Sequence, residues 1–268
     1  MLALIRIDSA GDPRIAGFRD IRERDLTGRR GLFVAEGEVV LNVLTSARSL
    51  CRPTALLLDG KRVEGLAEML ARVADETPVY VADQPVLDAI AGFHLHRGIL
   101  ALGEKPRAET LESCLAGTGP DCVVVAASGI GNHDNIGGIF RNAAAFGAAA
   151  VLLDRTCCDP FYRKAIRVSV GAVLRTPMVT GLDPSAMIDG LEAAGFAVMA
   201  LTPGAETPLE HSPRGGRVAL ILGPEGPGLS PGVIGRCRPV GITMSGGFDS
   251  LNVSVASGIA LHHFTREA

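Results

Sequence analysis

The chain contains no tryptophan, only two tyrosines, no long hydrophobic run and no excess of positive charge. A membrane-spanning helix needs about 18 consecutive apolar residues, and no segment approaches that length. The amino-terminal stretch MLALI has only five apolar residues before Arg6, too few for the core of a signal peptide. These absences predict a cytoplasmic protein with no membrane partner.

The cysteines and histidines form no metal-binding pattern. Six of each are scattered along the chain, without a CxxC motif and without zinc-ligand spacing. We therefore expect no metal site. The adjacent pair Cys157 and Cys158 is compatible with a redox pair, but two buried thiols are the more common arrangement.

The charge balance, 26 basic against 29 acidic side chains, gives no overall support for nucleic-acid binding. Its distribution is uneven, however. Residues 1–30 hold seven arginines against five acids, and residues 155–175 hold five basic side chains against the single acid Asp159. Such clusters either contact phosphates or belong to solvated helix faces, and composition leaves both interpretations open.

The polar stretch at 103–121, with proline and glycine at both ends, marks the best domain boundary. We predict a small α/β domain over 1–106, a linker over 107–120 and a second domain over 121–268. In the first domain we predict helices at 14–26 and 36–47 and strands at 54–58, 79–83 and 98–102.

The second half alternates apolar strands with helical patterns, which is typical of a parallel sheet covered by helices on both faces. The predicted strands are 122–127, 148–153, 196–201, 217–222 and 239–244. The predicted helices are 135–146, about 160–174, 184–194, 229–236 and 251–265. In such sheets ligands bind beyond the carboxyl ends of the strands, so the loops there are where chemistry is expected.

The first loop, SGIGNHDNIGGIFR, permits a dinucleotide-binding interpretation. Gly129, Gly131 and the strand-ending Asp154 partly match the glycine and ribose-binding positions of that fold. Asp134 stands where the third glycine belongs, so the match is weak. We expect Asn132 or Asp134 to cap the following helix instead.

Two later loops, LGPEGPGLS and ITMSGGFDSLNVS, are rich in glycine and also follow predicted strands. Asp249 or Ser250 is expected to cap the last helix. Together the three loops supply polar donors and acceptors without a thiol or a metal ligand. The candidate catalytic residues are Asn135, Arg141, Glu225, Ser250 and Asn252.

At this point a resemblance is evident. The segments DNIGGIFRNAAAFG, LILGPEGPGLS and ITMSGGFDSLNVSVA resemble, in order, the three motifs of the SpoU (TrmH-type) RNA ribose 2′-O-methyltransferases of the SPOUT superfamily. The segments RRGLFVAEGEVVLNVL and HRGILAL resemble the opening and close of a ribosomal-protein-L30e-like substrate-binding domain. The resemblance covers nearly the whole chain.

The resemblance implies a carboxyl-terminal α/β domain with a trefoil knot, an exception to the rule that chains do not thread loops. It also implies S-adenosylmethionine as methyl donor. The positions that match the cofactor-binding residues of the family are Leu222, Gly223, Ile242, Met244 and Leu251. Three positions depart from the family pattern: Asp134 and Thr243 replace prolines, and Arg97 replaces a glutamine.

Methyl transfer to a ribose hydroxyl requires alignment and the removal of one proton. The family proposal assigns deprotonation to Arg141, but a guanidinium with a pKa above 12 is a poor base. Our hypothesis is that Arg141 anchors a phosphate and stabilises the developing alkoxide. The candidate RNA-binding residues are Arg29, Arg30, Arg163, Lys164 and Arg167.

The helix at 135–146 carries Gly137, Gly138 and Ala145 opposite its apolar face, where charges are usual. Because relatives in the family form homodimers through this domain, we interpret the small residues as room for a partner chain or for RNA. The alternative is packing against the chain's own second domain.

The sequence thus favours an RNA 2′-O-ribose methyltransferase, with rRNA preferred over tRNA as substrate. An NAD-dependent oxidoreductase and a catalytically silent RNA-binding protein are the competing hypotheses.

Overall fold

The computed structural model describes residues 3–19, 26–28, 30–91, 98–247 and 250–265. The fold divides into two units. One comprises residues 1–106 together with 159–175, and the other comprises 107–158 together with 176–268. No helix in the described ranges is long and apolar enough to cross a lipid bilayer.

The first unit is built on a five-stranded mixed sheet in the order β1-β4-β3-β5-β2. The strands are β1 Leu4–Arg6, β2 Leu32–Glu36, β3 Arg52–Asp59, β4 Val79–Ala82 and β5 Ile99–Glu104, and the helices are α1 Glu38–Leu44, α2 Ala67–Leu70 and α3 Gln84–Ala91. The three predicted strands are confirmed to within three residues. The sequence patterns missed β1, β2, α2 and α3, because short elements carry too few residues to establish a period.

Residues 159–175 follow the first strands of the second domain in the sequence, but in the structure they belong to the first unit. Lys105 Nζ pairs with Asp159 Oδ2 at 2.7 Å, and the rings of Phe33 and Phe161 lie 5.3 Å apart. The single helix predicted at 160–174 is instead a helix, α6 Arg163–Val168, and a separate 3-10 turn, Ala172–Leu174. The two are separated at Val170 and Gly171, whose φ angles are 49° and 83°.

The second unit holds a six-stranded, wholly parallel sheet, in agreement with the predicted fold class. Its strands are β6 Cys122–Ala127, β7 Ala150–Asp154, β8 Met178–Leu182, β9 Ala197–Leu201, β10 Arg217–Leu222 and β11 Arg238–Val240. Its helices are α4 Leu111–Ala116, α5 His133–Phe146, α7 Pro184–Ala193, α8 Pro231–Ile234 and α9 Val253–Phe264. The segment expected as a linker therefore contains α4, which Thr110 caps.

The strand order β11-β9-β10-β6-β7-β8 places β6 beside β10, although 89 residues separate the two strands (Ala127 to Arg217). The chain adds β7 and β8 on one side of β6, and then returns to form β9, β10 and β11 on the other side. The loops after β6 and β10 therefore leave the sheet in opposite directions. This is the switch point at which parallel sheets bind ligands.

Helices α5 and α9 pack side by side in parallel. A Cβ atom at Gly138 would lie 2.5 Å from Ser254 Cβ, and the Asn142 amide donates to the Ser254 carbonyl over 2.6 Å. One helix turn later the rings of Phe146 and His262 lie 5.8 Å apart. The prediction that Gly138 leaves room for another molecule is therefore wrong, because the chain's own last helix occupies that space.

Candidate functional site

A cavity of about 820 Å³ opens at the switch point of the second unit. Its wall is formed by the ends of β9 and β10, the loops that follow β9, β10 and β11, and the start of α9. All five residues that the resemblance implies for the cofactor lie in that wall: Leu222, Gly223, Ile242, Met244 and Leu251. The volume lies in the range of small-molecule sites, roughly 300–1,000 Å³.

The glycine-rich turn after β10 folds back on itself. A Cβ atom at Gly223 would lie only 2.6 Å from the Leu229 nitrogen, so no larger residue fits there. Gly226 and Gly228 have φ angles of 84° and 67°, which other L-residues adopt only with strain. The turn thus brings exposed backbone groups to the cavity.

Three of the predicted catalytic side chains meet at the cavity rim. Asn252 Nδ2 donates to Glu225 Oε1 over 2.7 Å and to Asn135 Oδ1 over 2.8 Å. Asn135 Nδ2 donates to the same Glu225 oxygen over 3.1 Å. We call these three residues the amide–carboxylate cluster. Two amide donors hold the carboxylate in place, and within the described structure Glu225 Oε2 accepts no hydrogen bond.

Asn252 also caps α9, a role that the sequence patterns assigned to Asp249 or Ser250. Its Oδ1 accepts from the Ser254 nitrogen at 3.0 Å and the Val255 nitrogen at 3.3 Å, which leaves its Nδ2 for the cluster. The helix begins at Val253, so the expectation for Ser250 is wrong, while Asp249 lies outside the described residues. The cap therefore fixes the orientation of a candidate catalytic amide.

Ser250 and Arg141 stand apart from these hydrogen bonds. Ser250 lies in the cavity wall. Arg141 lies six residues beyond Asn135 on α5, or about 9 Å along the helix axis. It is exposed and makes no hydrogen bond or ion pair with any described residue, so its guanidinium is available to an anion.

The dinucleotide-binding interpretation fails at Asp154. This carboxylate is 2% exposed and accepts hydrogen bonds from residues of its own and the preceding loop. It is therefore not free to bind a ribose. The competing expectation, a helix cap at Asn132 or Asp134, is confirmed at Asn132, whose side chain accepts from the Asp134 nitrogen at 2.8 Å.

The predicted RNA-binding residues belong to the first unit, as far as they are described. Arg29 lies outside the described residues. Arg30, Lys164 and Arg167 are exposed, whereas Arg163 is half-buried with its Nε 3.9 Å from Glu36 Oε2. Arg30 and Arg167 have no hydrogen-bond or ion-pair partner in the described ranges.

The departures from the family pattern have local explanations. The Thr243 hydroxyl donates to Glu210 Oε1 over 2.9 Å and so tethers the loop that a proline would stiffen. Asp134 lies in the first turn of α5, where a negative charge is favourable, and Arg97 is not among the described residues.

Cys157 and Cys158 are not joined by a disulfide, and burial raises the pKa of the Cys157 thiol to about 12. The described residues also contain no group of three potential metal ligands.

The wall also includes Thr202 and Pro203, which follow β9 and belong to none of the three loops expected to carry the chemistry. Their position after a strand was the only available signal. It became informative only once β9 was known to lie beside β10.

The model of the SpoU rRNA Methylase family matches residues 122–262. An uncharacterized tRNA/rRNA methyltransferase of Mycobacterium bovis is 36% identical over an alignment of 269 residues, gaps included, that covers 95% of this chain and 89% of that protein. A similar protein of Mycobacterium avium is 32% identical over 243 residues, 87% of this chain and 78% of its own length.

Solved structures show the same fold. The AdoMet complex of the SpoU methyltransferase AviRb from Streptomyces viridochromogenes has a TM-score of 0.81 at 23% identity, covering 95% of this chain and 98% of that one. An RNA 2′-O ribose methyltransferase has a TM-score of 0.76 at 25% identity, covering 97% of both chains.

Proposed function

From the premise that the chain belongs to the SpoU rRNA methylase family, we propose that it transfers a methyl group from S-adenosylmethionine to a ribose 2′-hydroxyl of structured RNA. The observation that carries this proposal is the amide–carboxylate cluster at the rim of the 820 Å³ cavity. The cluster offers a fixed carboxylate with one open oxygen, Glu225 Oε2, to a hydroxyl donor.

The cavity suits the methyl donor. Leu222, Ile242 and Leu251 provide apolar walls for an adenine ring, and the turn beginning at Gly223 provides backbone donors and acceptors. S-adenosylmethionine would be held by these residues and by Met244, and it supplies an activated methyl group when bound. The AviRb complex with AdoMet has the same fold, which supports this assignment.

The protein's own side chains have to orient the hydroxyl and accommodate its charge. Ser250, in the cavity wall, orients the hydroxyl and the methionine moiety, and Asn252 acts through the cluster by holding Glu225 in place. Glu225 Oε2 accepts a hydrogen bond from the ribose hydroxyl, favours alignment, and takes up the proton that the hydroxyl releases when its oxygen accepts the methyl group. Arg141, which is free of partners in the described structure, binds the flanking phosphate and stabilises the alkoxide as it develops.

The experiment is methyl transfer by wild type, Arg141→Lys and Arg141→Ala at saturating RNA and S-adenosylmethionine. If bidentate contact to phosphate matters, lysine restores little of the activity that alanine loses, because an ammonium lacks the planar fork. Near-wild-type kcat in Arg141→Lys would show that a point charge suffices. Binding of RNA without any methyl transfer by wild type would favour the catalytically silent alternative.

We propose that the first unit, as an L30e-like domain, binds the RNA, and we favour rRNA over tRNA as the substrate. Exposed, unpartnered Arg30 and Arg167 support this assignment. Neutralising Arg30, Arg163, Lys164 and Arg167 together should weaken RNA binding and flatten its salt dependence. Mapping of 2′-O-methyl groups in cellular rRNA and tRNA with and without the protein identifies the substrate.

We also propose that two copies of the chain form a homodimer through the second unit, and that the backbone of that unit is knotted. Val255 and Ile259, one turn apart on α9, are 52% and 39% exposed, and Leu251, four positions before Val255, is 39% exposed. They are three of the seven large hydrophobic side chains that are exposed in the described ranges. An apolar stripe of this kind is typical of an interface.

A further inference from the structure

Asp154, at the end of β7, binds the loops that follow two neighbouring strands. Its Oδ2 accepts from the Ser128 hydroxyl at 2.6 Å, and its Oδ1 accepts from the Gly129 nitrogen at 3.3 Å. The same Oδ1 accepts from the Thr156 nitrogen at 2.9 Å, the Thr156 hydroxyl at 2.8 Å and the Cys157 nitrogen at 3.0 Å. Five donors from two loops therefore converge on one buried carboxylate.

Cys157 strengthens the same junction. Its Sγ accepts from the Ile130 nitrogen at 3.4 Å and donates to the Ala127 carbonyl over 3.3 Å. The Cys158 nitrogen donates to the Ile130 carbonyl over 2.9 Å. The loop at 128–132 is thus attached to the loop after β7 along most of its length.

This loop touches the candidate active site on two sides. A Cβ atom at Gly129 would lie 3.3 Å from Pro224 Cγ, so the loop packs against the residue immediately before Glu225. The Ser128 nitrogen donates to the Leu222 carbonyl over 2.9 Å. At its other end the loop reaches Asn132, the cap of α5, three positions before Asn135.

We infer that Asp154 is a positioning residue for methyl transfer: by holding the loop at 128–132, it sets the distance between Asn135 and Glu225 in the amide–carboxylate cluster. This inference rests on the proposed function. Asp154 acts through the loop and touches neither substrate nor methyl donor. A misplacement of about 1 Å at a reacting centre costs on the order of 10²-fold in rate, so a carboxylate two contacts away affects catalysis.

The variants separate the number of hydrogen bonds from the charge. Asp154→Asn keeps Oδ1 as an acceptor for four donors and turns its amide towards Ser128, whose hydroxyl accepts as well as donates. Asp154→Ala removes every bond, and Ser128→Ala removes only the bond to Oδ2. The matched control is Arg217→Met, which deletes side-chain bonds to Leu115 and Thr118 at the amino-terminal end of the same sheet.

The experiment measures kcat and the KM for S-adenosylmethionine with saturating RNA, at a temperature at which circular dichroism shows every variant folded. We expect kcat to fall on the order of 10²-fold in Asp154→Ala, less in Ser128→Ala, and only a few-fold in Asp154→Asn. Arg217→Met should lower the unfolding temperature and leave kcat and KM unchanged. Equal kcat in Asp154→Ala and Arg217→Met would overturn the inference.

Hydrogen exchange gives a readout that is independent of turnover. In Asp154→Ala, exchange should become faster at the Ser128 and Ile130 amides, which donate to Leu222 and Cys157, and at the Gly228 amide, which donates to the Pro224 carbonyl, while exchange in β8 stays as in wild type. Arg217→Met should not produce that pattern. Unchanged exchange at Gly228 would also overturn the inference. If wild type transfers no methyl group to any RNA, the proposed function fails, and exchange still decides whether Asp154 positions the loop.

Discussion

Asn135 and Asn252 lie 117 positions apart in the sequence, yet the Asn252 amide donates to Asn135 Oδ1 over 2.8 Å. The same amide reaches Glu225, and the other end of the Asn252 side chain caps α9. One side chain therefore connects the start of α9, the turn after β10 and the first turns of α5. The geometry of the candidate active site depends on how these three segments pack.

Replacing Asn252 with aspartate separates its two roles. Aspartate caps a helix as well as asparagine, but it loses both amide donors and places a negative charge beside Glu225. A hydrogen bond to a charged group contributes about 1.5–3 kcal/mol, so we expect kcat to fall about 10- to 100-fold while the fold persists.

Methyl transfer and circular dichroism measured on the same Asn252→Asp sample check this prediction. The control is Thr110→Ala, which removes the cap of α4 and should cost about 1 kcal/mol of stability without changing kcat. Full activity in Asn252→Asp would remove the cluster from the mechanism.

Replacing Gly138 with alanine tests the close contact of α5 with α9. The new Cβ atom would lie 2.5 Å from Ser254 Cβ, and overpacking of this kind costs about 1–3 kcal/mol. Urea unfolding measures the loss. The double variant with Ser254→Gly should lose less stability than the sum of the two single losses, because the colliding atom is gone.

Gly131→Ala is the matched control for Gly138→Ala, since no atom lies within 4 Å of its Cβ position. It should leave the free energy of unfolding almost unchanged. Equal stability of Gly138→Ala and Gly131→Ala would show that α5 and α9 do not pack this closely.

Replacing Val255 with glutamate tests the proposed dimer. Val255 is 52% exposed in the single chain, so a charge there costs little in the monomer but is buried without a partner in the dimer. We expect light scattering coupled to size exclusion to show a monomer for Val255→Glu. Val39→Glu, at an equally exposed valine of the first unit, should remain dimeric. A wild-type monomer, or a dimer that tolerates Val255→Glu, would contradict the assignment.

The pH dependence of the free energy of unfolding should report the ionisation of Asp154. Burial by itself would raise the pKa of Asp154, but hydrogen bonds from Ser128, Thr156 and Gly129 outweigh it and hold the pKa below the ordinary 3.8. The stabilisation is therefore present above pH 3.8 and is lost as the pH falls through the lower folded-state pKa. Asparagine does not titrate.

The measurement is urea unfolding of wild type and Asp154→Asn from pH 7 down to about 3, near the ordinary pKa of aspartate. The stability advantage of wild type should shrink towards the acid end of that range. A difference that stays constant with pH would show that the carboxylate has the same pKa in the folded and unfolded chains.

Much of the second unit could be predicted from local patterns. Uninterrupted apolar runs identified β6 and β10 with their observed bounds, and the polar residues near the start of α5 narrowed its cap to Asn132 or Asp134, of which the structure has Asn132. The strand expected at 239–244 ends at Val240, because its later residues leave the sheet and form the cavity wall. The short elements of the first unit carried too weak a period to be found.

The amino-acid sequence by itself determined which faces are apolar, which turns require glycine and which loops carry polar side chains, because these follow from local spacing and backbone freedom. Only the tertiary structure decided what each face meets. It placed β6 beside β10, residues 159–175 on the first unit, and Ser254 against Gly138. A periodic pattern indicates that a surface is buried, but it does not indicate which segment covers that surface. The covering segment is determined by packing between residues that lie about a hundred positions apart in the sequence. The amide–carboxylate cluster forms only because of that packing.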